Sequence, residues 1–479
     1  MKNKIYFGDN LDIMRKYIKD ESIDLIYLDP PFNSNRAYNI IYNKDVQVKA
    51  FEDTWTWEGE IPKTYEEIIT TSKNQDIIIA IKAFRDILGD NNLMAYLVMM
   101  TIRLLEMHRI LKDTGSIYLH CDPTASHYLK IIMDNIFGTK NFQNEIVWHY
   151  YKWTVKSKGF QHNHDIIFRY SKTNNYMFNT IREIDDRRQK TLDRGYTTNL
   201  LSNGERQLIV YKGSEEKENI KKLIESSKFT RVLYRDVEGN PKSDVWDINI
   251  IHPKAKERTG YPTQKPLTLL ECIVKASSNP GDVVLDPFCG CATALIAAHK
   301  LQRKWMGIDI TYLSVGLLKQ RLRKVYIDEG EEQDEFIIEG EPKSMEQVYN
   351  LIKEKGRFRF QEWVIVKIGG IPNTRKTGDK GIDGFYNFMD VGKTEELIIS
   401  VKSGGISPSD IRDLRGTIER RNSAGGIFIT LEEPTKGMRI EANSAGFFYI
   451  TGRQFSKIQI ITVKDILEGK YLNLPEKKE

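Results

Sequence analysis

Apolar residues fall into short continuous runs separated by polar turns, with a few longer amphipathic stretches between them. Residues 5–7, 23–28, 116–120, 283–285 and 305–308 are runs of strand length, rich in Ile, Val, Leu and aromatics. Such runs predict strands buried on both faces, as in a parallel sheet. Residues 144–149 and 165–170 read as two further strands. Residues 11–17 and 292–300 carry helical spacing, and 93–111 forms the strongest predicted helix. Arg103, Glu106 and His108 interrupt that last stretch, so it reads as a buried amphipathic helix and not as a membrane span. Thr114-Gly115 predicts a turn, and residues 33–90 read as a polar, irregular segment around Trp55 and Trp57. That segment is expected to be a loop closing over substrate or a surface insertion. Strands alternating with helices imply an α/β fold.

The rhythm breaks over residues 180–255, which are rich in Arg, Lys, Asn and Tyr, as in Arg187-Arg188-Gln189-Lys190. It breaks again at 328–341, dense in Asp and Glu, which predicts a linker or a domain edge. A further unit follows: a helix over 358–368, a strand over 397–402, a helix over 408–421 and a strand over 426–430.

Three of the predicted strands end on an acid: Asp29, Asp286 and Asp309. The carboxyl edge of an open α/β sheet is where ligands bind. Asp29 opens Asp29-Pro30-Pro31-Phe32, whose two prolines remove N–H donors and leave a surface dominated by carbonyl oxygens beside an aromatic ring. Such a loop suits a planar substrate bearing an NH2 group. Asp286 opens Asp286-Pro287-Phe288-Cys289-Gly290-Cys291, a tight turn into a helix. Asp309 lies about twenty residues later, the placement of a carboxylate that binds ribose hydroxyls.

In this combination and order the chain resembles the β (permuted) class of S-adenosylmethionine-dependent DNA amino-methyltransferases, over roughly its first 330 residues. In that class a D-P-P-Y/F motif precedes an F-x-G-x-G motif. The resemblance implies that Asp29, Pro30, Pro31 and Phe32 are catalytic. It also implies that Asp286, Phe288, Gly290 and Asp309 bind S-adenosylmethionine, and that Lys265 of Thr263-Gln264-Lys265-Pro266 meets the methionine carboxylate. Ala292 stands where the family often carries its second glycine. The resemblance makes 180–255 the target-recognition region, with double-stranded DNA as partner. Asp at the first motif position leans toward adenine N6, with cytosine N4 as the alternative.

The last 125 residues resemble the Mrr-like branch of the PD-(D/E)xK nucleases, through Gly381-Ile382-Asp383-Gly384 and a strand ending Ser400-Val401-Lys402. The resemblance implies Mg²⁺ on Asp383, with Lys402 orienting water. Ser400 occupies the position of the second acid, which Glu362 on the upstream helix is expected to supply. Two readings stand: a combined restriction-modification enzyme, or a methyltransferase carrying a nuclease-like module that does not cut. The expected organisation is a Rossmann-like methyltransferase unit over 1–327, a linker over 328–345 and a smaller restriction-endonuclease-like α/β unit over 346–479.

Composition narrows the rest. The net charge of +5 permits nucleic-acid binding. Cys121, Cys272, Cys289 and Cys291 lack zinc-ligand spacing and read as reduced thiols of a cytoplasmic protein. His162-Asn163-His164 reads as a loop entering a strand. The glycine-rich turn lacks a full G-x-G-x-x-G, which argues against a nicotinamide oxidoreductase. No membrane partner is expected, and a homodimer is open.

Overall fold

The structure is a computed structural model. It describes residues 2–475 apart from 32–35, 44–45, 54, 153–157, 185, 227, 236–238, 260, 262, 330–335, 374–380 and 391–392. Phe32 therefore lies outside the described residues.

The chain opens with β1 (Lys4–Phe7), α1 (Asn10–Tyr17) and β2 (Ile23–Leu28), then a hairpin of β3 (Arg36–Asn43) and β4 (Val46–Asp53). Next come α2 (Ile61–Thr71), α3 (Gln75–Leu88) and α4 (Asn92–Ile110). After β5 (Leu111–Cys121) and α5 (Ser126–Phe137) come β6 (Phe142–His149) and β7 (His164–Ser171). The basic segment holds β8 (Arg182–Glu183), α6 (Asp186–Arg194), β9 (Tyr196–Leu200), β10 (Arg206–Tyr211), α7 (Glu218–Glu225), β11 (Arg231–Arg235), β12 (Asn240–Pro241) and β13 (Val245–Asp247). Then follow α8 (Leu267–Ser277), β14 (Val283–Asp286), α9 (Thr293–Lys300), β15 (Lys304–Asp309), α10 (Tyr312–Glu329) and β16 (Ile337–Glu339).

These strands build a nine-stranded sheet in the order β13-β6-β7-β5-β2-β14-β15-β1-β16. From β5 to β16 every neighbouring pair is parallel; β7 runs antiparallel to both β5 and β6. Its two faces bury separate apolar layers. One holds Leu28, Leu119 and Leu285 under α4, with Met100 and Met107; the other holds Leu25, Val284 and Trp305 under α8 and α9. Burial on both faces explains why these strands read as continuous apolar runs. The expected α/β sheet is present, with a separate β11-β10-β9 sheet in the basic segment, around Leu208, Val210 and Ile220.

Two expectations need correction. Residues 61–88 are two helices packed by the core, not an irregular loop. Asn74 caps α3 by accepting from the Ile77 N–H, and Ile77, Ile81 and Phe84 face inward at helical spacing. The turn expected at Thr114-Gly115 is present as a bulge inside β5: Ile23 pairs with Leu111 and Leu25 with Ser116, and a Cβ on Gly115 would meet the Leu111 side chain at 2.6 Å and the Asp24 carbonyl oxygen at 2.9 Å. The acidic segment is more than a connector, because Ile337–Glu339 pairs with β1 as the last strand of the large sheet.

The C-terminal unit comprises α11 (Met345–Lys367), β17 (Ile371–Pro372), β18 (Gly384–Asp390), β19 (Lys393–Lys402), α12 (Pro408–Arg421), β20 (Gly425–Thr430), α13 (Lys436–Ser444), β21 (Phe447–Ile450), β22 (Arg453–Ser456), β23 (Ile458–Thr462) and α14 (Val463–Leu467). Gly356, at φ +86°, breaks α11 into two segments. The sheet order is β17-β18-β19-β20-β23. This unit shares a core with the first: Tyr312 of α10 and Phe7 of β1 pack with Val348, Phe360 and Trp363.

Candidate active site

The carboxyl ends of β2, β14, β15 and β1 are adjacent in the sheet, and an acid stands at each: Asp29, Asp286, Asp309 and Asp9. A cavity of about 410 Å³ runs along this edge and is lined by all four. Pro30, Pro31, Phe288, Gly290 and Lys265 also line it, so every described residue expected in catalysis or cofactor binding faces one space.

Asp29 is nearly buried. Its Oδ2 is paired with Lys265 Nζ, while Oδ1 is buried and accepts no hydrogen bond among the described residues. An unsatisfied carboxylate oxygen inside a cavity is costly unless a ligand completes it. Lys265 thus pairs with the first residue of the Asp-Pro-Pro-Phe motif in addition to lining the cavity.

Behind Asp29 lies a buried polar chain. The Tyr27 hydroxyl is 3.1 Å from His120 Nδ1, His120 Nε2 is 3.3 Å from Asp165 Oδ2, and Tyr150 donates to Asp165 Oδ1 at 3.2 Å. Burial, reinforced by the charge of Asp29, pushes the Tyr27 phenol well above its ordinary value. Tyr27 therefore keeps its proton and donates to Nδ1, leaving Nε2–H to donate to Asp165. His120 Nδ1 is 3.9 Å from Asp29 Oδ1. His120 fixes the wall against which Asp29 sits.

At the end of β14, Asp286 Oδ1 accepts the Phe288 N–H at 3.1 Å, and burial raises its carboxyl well above the usual range. Asp309 ties two loops: Oδ2 accepts the Gly290 N–H at 2.8 Å, and Oδ1 accepts the Thr311 N–H and hydroxyl, each at 2.8 Å. Burial raises Asp309 too, opposed by those bonds. Gly290 has φ +47°, and a Cβ there would meet the Tyr261 ring at 3.2 Å. Ala292 is left-handed, at φ 63° and ψ 33°, so the position usually filled by glycine retains that conformation with a methyl group.

Sequence reasoning missed Asp9, Asn10 and Arg103. Arg103 donates to Asp9 Oδ2 at 2.7 Å and to Asn10 Oδ1 at 2.6 Å, and Asn10 Nδ2 donates to the Pro287 carbonyl at 2.8 Å. The signal was present: Gly8-Asp9-Asn10 follows a strand as the other strand-end acids do.

Among the described residues the nuclease-like side chains form no metal site. Asp383 accepts from Gln361 at 3.0 Å and from the Val401 N–H at 2.6 Å. Lys402 is paired with Asp410 at 3.1 Å, and Glu362 with Arg359 at 2.7 Å. The side chain brought onto Asp383 is thus Gln361, a neutral neighbour of the expected Glu362. Among the described residues no three His, Cys, Asp or Glu side chains cluster as ligands. Asp383, held by a glutamine donor and a backbone N–H, does not fit Mg²⁺.

The DNA methylase family matches residues 23–315, which is more than half of the chain. The chain belongs to the N6/N4 DNA methylase family. The methylase is 26% identical over 353 residues to Type II methyltransferase M.EcaI of Enterobacter cloacae, covering 67% of this chain and 69% of that protein. It is 28% identical over 323 residues to DNA adenine methyltransferase YhdJ of Escherichia coli, covering 65% and 81%. A putative DNA modification methylase of Thermus thermophilus, solved with S-adenosyl-L-methionine, aligns with 16% identity and a TM-score of 0.36 over 71% of this chain and 98% of that one. Residues 359–468 match a family described as NACHT-associated inactive Restriction Endonuclease 1. All four cysteines are free, and among the described residues no helix is long and apolar enough to cross a membrane.

Proposed function

We propose that the methylase transfers the methyl group of S-adenosylmethionine to adenine N6 in double-stranded DNA, as a β-class enzyme whose C-terminal unit does not cut. The observation that carries this reading is Asp29, a residue lining the cavity: one oxygen is held by Lys265, and the other is buried without a hydrogen bond among the described residues. The residues around that cavity fit the cofactor. Asp309 would hold the ribose, the Phe288–Gly290 turn would admit close approach, and Lys265 would meet the methionine carboxylate.

An amino group stacked and paired in a duplex is out of reach, so the base must be flipped out. Asp29 Oδ1 and the Pro30 carbonyl would then accept the two amine hydrogens, favouring a tetrahedral nitrogen with a free lone pair. Phe32 would stack on the base. S-adenosylmethionine supplies an electrophilic methyl on a sulfonium centre. The protein contributes alignment and fixed dipoles, which suffice for an in-line displacement. Residues 180–255, whose small sheet stands apart from the main one, are the proposed recognition region; exposed Arg194, Arg206 and Arg231 offer phosphate and base contacts. The proposed units are 1–327 and 346–479, with the acidic segment between them adding β16 to the first.

The test is tritium transfer to unmethylated DNA together with modified-base sequencing. N6-methyladenine is expected; N4-methylcytosine would assign the other amine. Asp29→Ala is expected to abolish transfer while S-adenosylmethionine binding, followed by calorimetry, is retained, since Lys265 loses Asp29 as a partner but keeps the methionine carboxylate. Retained transfer in Asp29→Ala would remove Asp29 from the mechanism.

A further inference from the structure

The cavity wall is not made by the methylase fold alone. Phe358, Arg359 and Glu362, on the second segment of α11, line the same space as Asp29 and Asp309. Those three side chains belong to the unit that resembles a nuclease, and Glu362 was the acid expected to hold its metal. We infer that the C-terminal unit has become the wall of the adenosine end of the cofactor pocket, with Phe358 and Arg359 packing on the purine. This inference rests on the cofactor assignment above and extends it to a second unit.

The strand order locates the contact. Asp29 follows β2, and β14, β15 and β1 then succeed one another along the edge. At about 4.8 Å per strand, β1 lies some 14 Å from β2. The C-terminal unit meets the sheet at that far end. Phe7, the last residue of β1, stacks on Tyr312 with ring centroids 3.5 Å apart, and Tyr312 is buried with Phe360 and Trp363 of α11. Glu341 pairs with Lys319 of α10 at 3.6 Å and with Lys367 of α11 at 2.7 Å. A methyl donor whose reactive end faces Asp29, and whose ribose reaches Asp309, must extend its base toward Ile310, Phe358 and Arg359.

The chemistry of this wall suits a purine. A phenyl ring and a guanidinium both stack on a flat aromatic base. The 2.7 Å pair with Glu362 holds the Arg359 guanidinium in one orientation. Glu362, freed from any metal by Gln361 on Asp383, is an orienting group here.

Two small probes separate the ends of the pocket. S-adenosylmethionine carries both ends; 5′-methylthioadenosine carries the adenosine and sulfur without the amino-acid tail. Calorimetry on the full chain with each probe is the experiment. Phe358→Ala and Arg359→Ala are each expected to weaken both probes about tenfold and by similar factors, since a lost stacking contact acts on the shared base. Lys265→Met is expected to weaken S-adenosylmethionine more than 5′-methylthioadenosine. Circular dichroism and the melting temperature show that each variant is folded; Arg359→Lys, which keeps the charge and loses the planar fork, serves where alanine does not fold. Wild-type affinity for both probes in folded Phe358→Ala and Arg359→Ala proteins would overturn the inference while leaving the cofactor reading intact. Failure of the wild-type protein to bind either probe would overturn both.

Discussion

At the scale of single residues, the site trades stability for chemistry. Asp286 is buried and accepts one backbone N–H, so its charged form is disfavoured in the folded protein. Its folded pKa lies above its unfolded value. The folded state therefore binds the extra proton between the two, and stability falls as pH rises through that window. Asp286→Asn removes this cost. It is expected to raise the melting temperature of the cofactor-free protein at pH 7, with the gain shrinking toward zero below about pH 3, where both states are protonated. The same substitution is expected to weaken S-adenosylmethionine binding. A melting temperature at pH 7 equal to or below wild type would show that another group compensates the Asp286 charge. His120 illustrates a residue that only the fold reveals: nothing in its sequence neighbours announces that β5 sets it between Tyr27 and Asp165, with Asp29 at its edge.

Among elements, the turn between β14 and α9 carries the clearest strain. Ala292 sits in the left-handed region at φ 63°, where a side chain costs about 1–2 kcal/mol relative to glycine. Ala292→Gly removes that cost but frees the unfolded chain by about 0.4–1 kcal/mol. The net expectation is a change between zero and about 1.6 kcal/mol in favour of folding, read by denaturant melts. A loss of more than about 1 kcal/mol would mean that the methyl group makes packing contacts that outweigh the strain. Elements differ in how legible they are in sequence. The core strands were readable because burial on both faces imposes unbroken apolar runs. Helix α3 was equally written, from its Asn74 cap to Gly89, but the polar hairpin before it masked the change of period. The turn at Thr114-Gly115 was legible because glycine is the residue that fits there, 2.6 Å from the Leu111 side chain and 2.9 Å from the Asp24 carbonyl where its Cβ would lie. The strand-end acids were legible from spacing. Their convergence with Arg103 and α11 was not, because contacts ninety or more residues apart leave no periodic trace.

Across the whole molecule, the methylase family match over 23–315 is followed by a segment, 359–468, that resembles an inactive restriction endonuclease. Asp383 is held by Gln361 and a backbone N–H, and Lys402 by Asp410. Burial pushes Asp410 up, yet the Ser407 N–H and Lys402 outweigh it and hold the carboxylate below its usual range, so the pair stays charged. Plasmid incubated with the protein and Mg²⁺ or Mn²⁺ is expected to remain uncut, with or without S-adenosylmethionine. Lys402→Ala is expected to leave methyl transfer within about twofold, since exposed ion pairs contribute little. Linearised plasmid that disappears in the Asp383→Ala protein would restore the nuclease reading.

The placement of β1 has a bearing on how the protein is made. It is the first strand of the chain, yet it sits inside the sheet, between β15 at residues 304–309 and β16 at residues 337–339. Both its partners emerge from the ribosome roughly three hundred residues later, which at typical elongation rates is about 15–60 s. During that interval Ile5, buried in the finished fold, has no sheet to join. Synthesis thus leaves an apolar strand with two bare edges waiting for its neighbours, the kind of segment that chaperones bind and that slow, non-local sheets expose to aggregation.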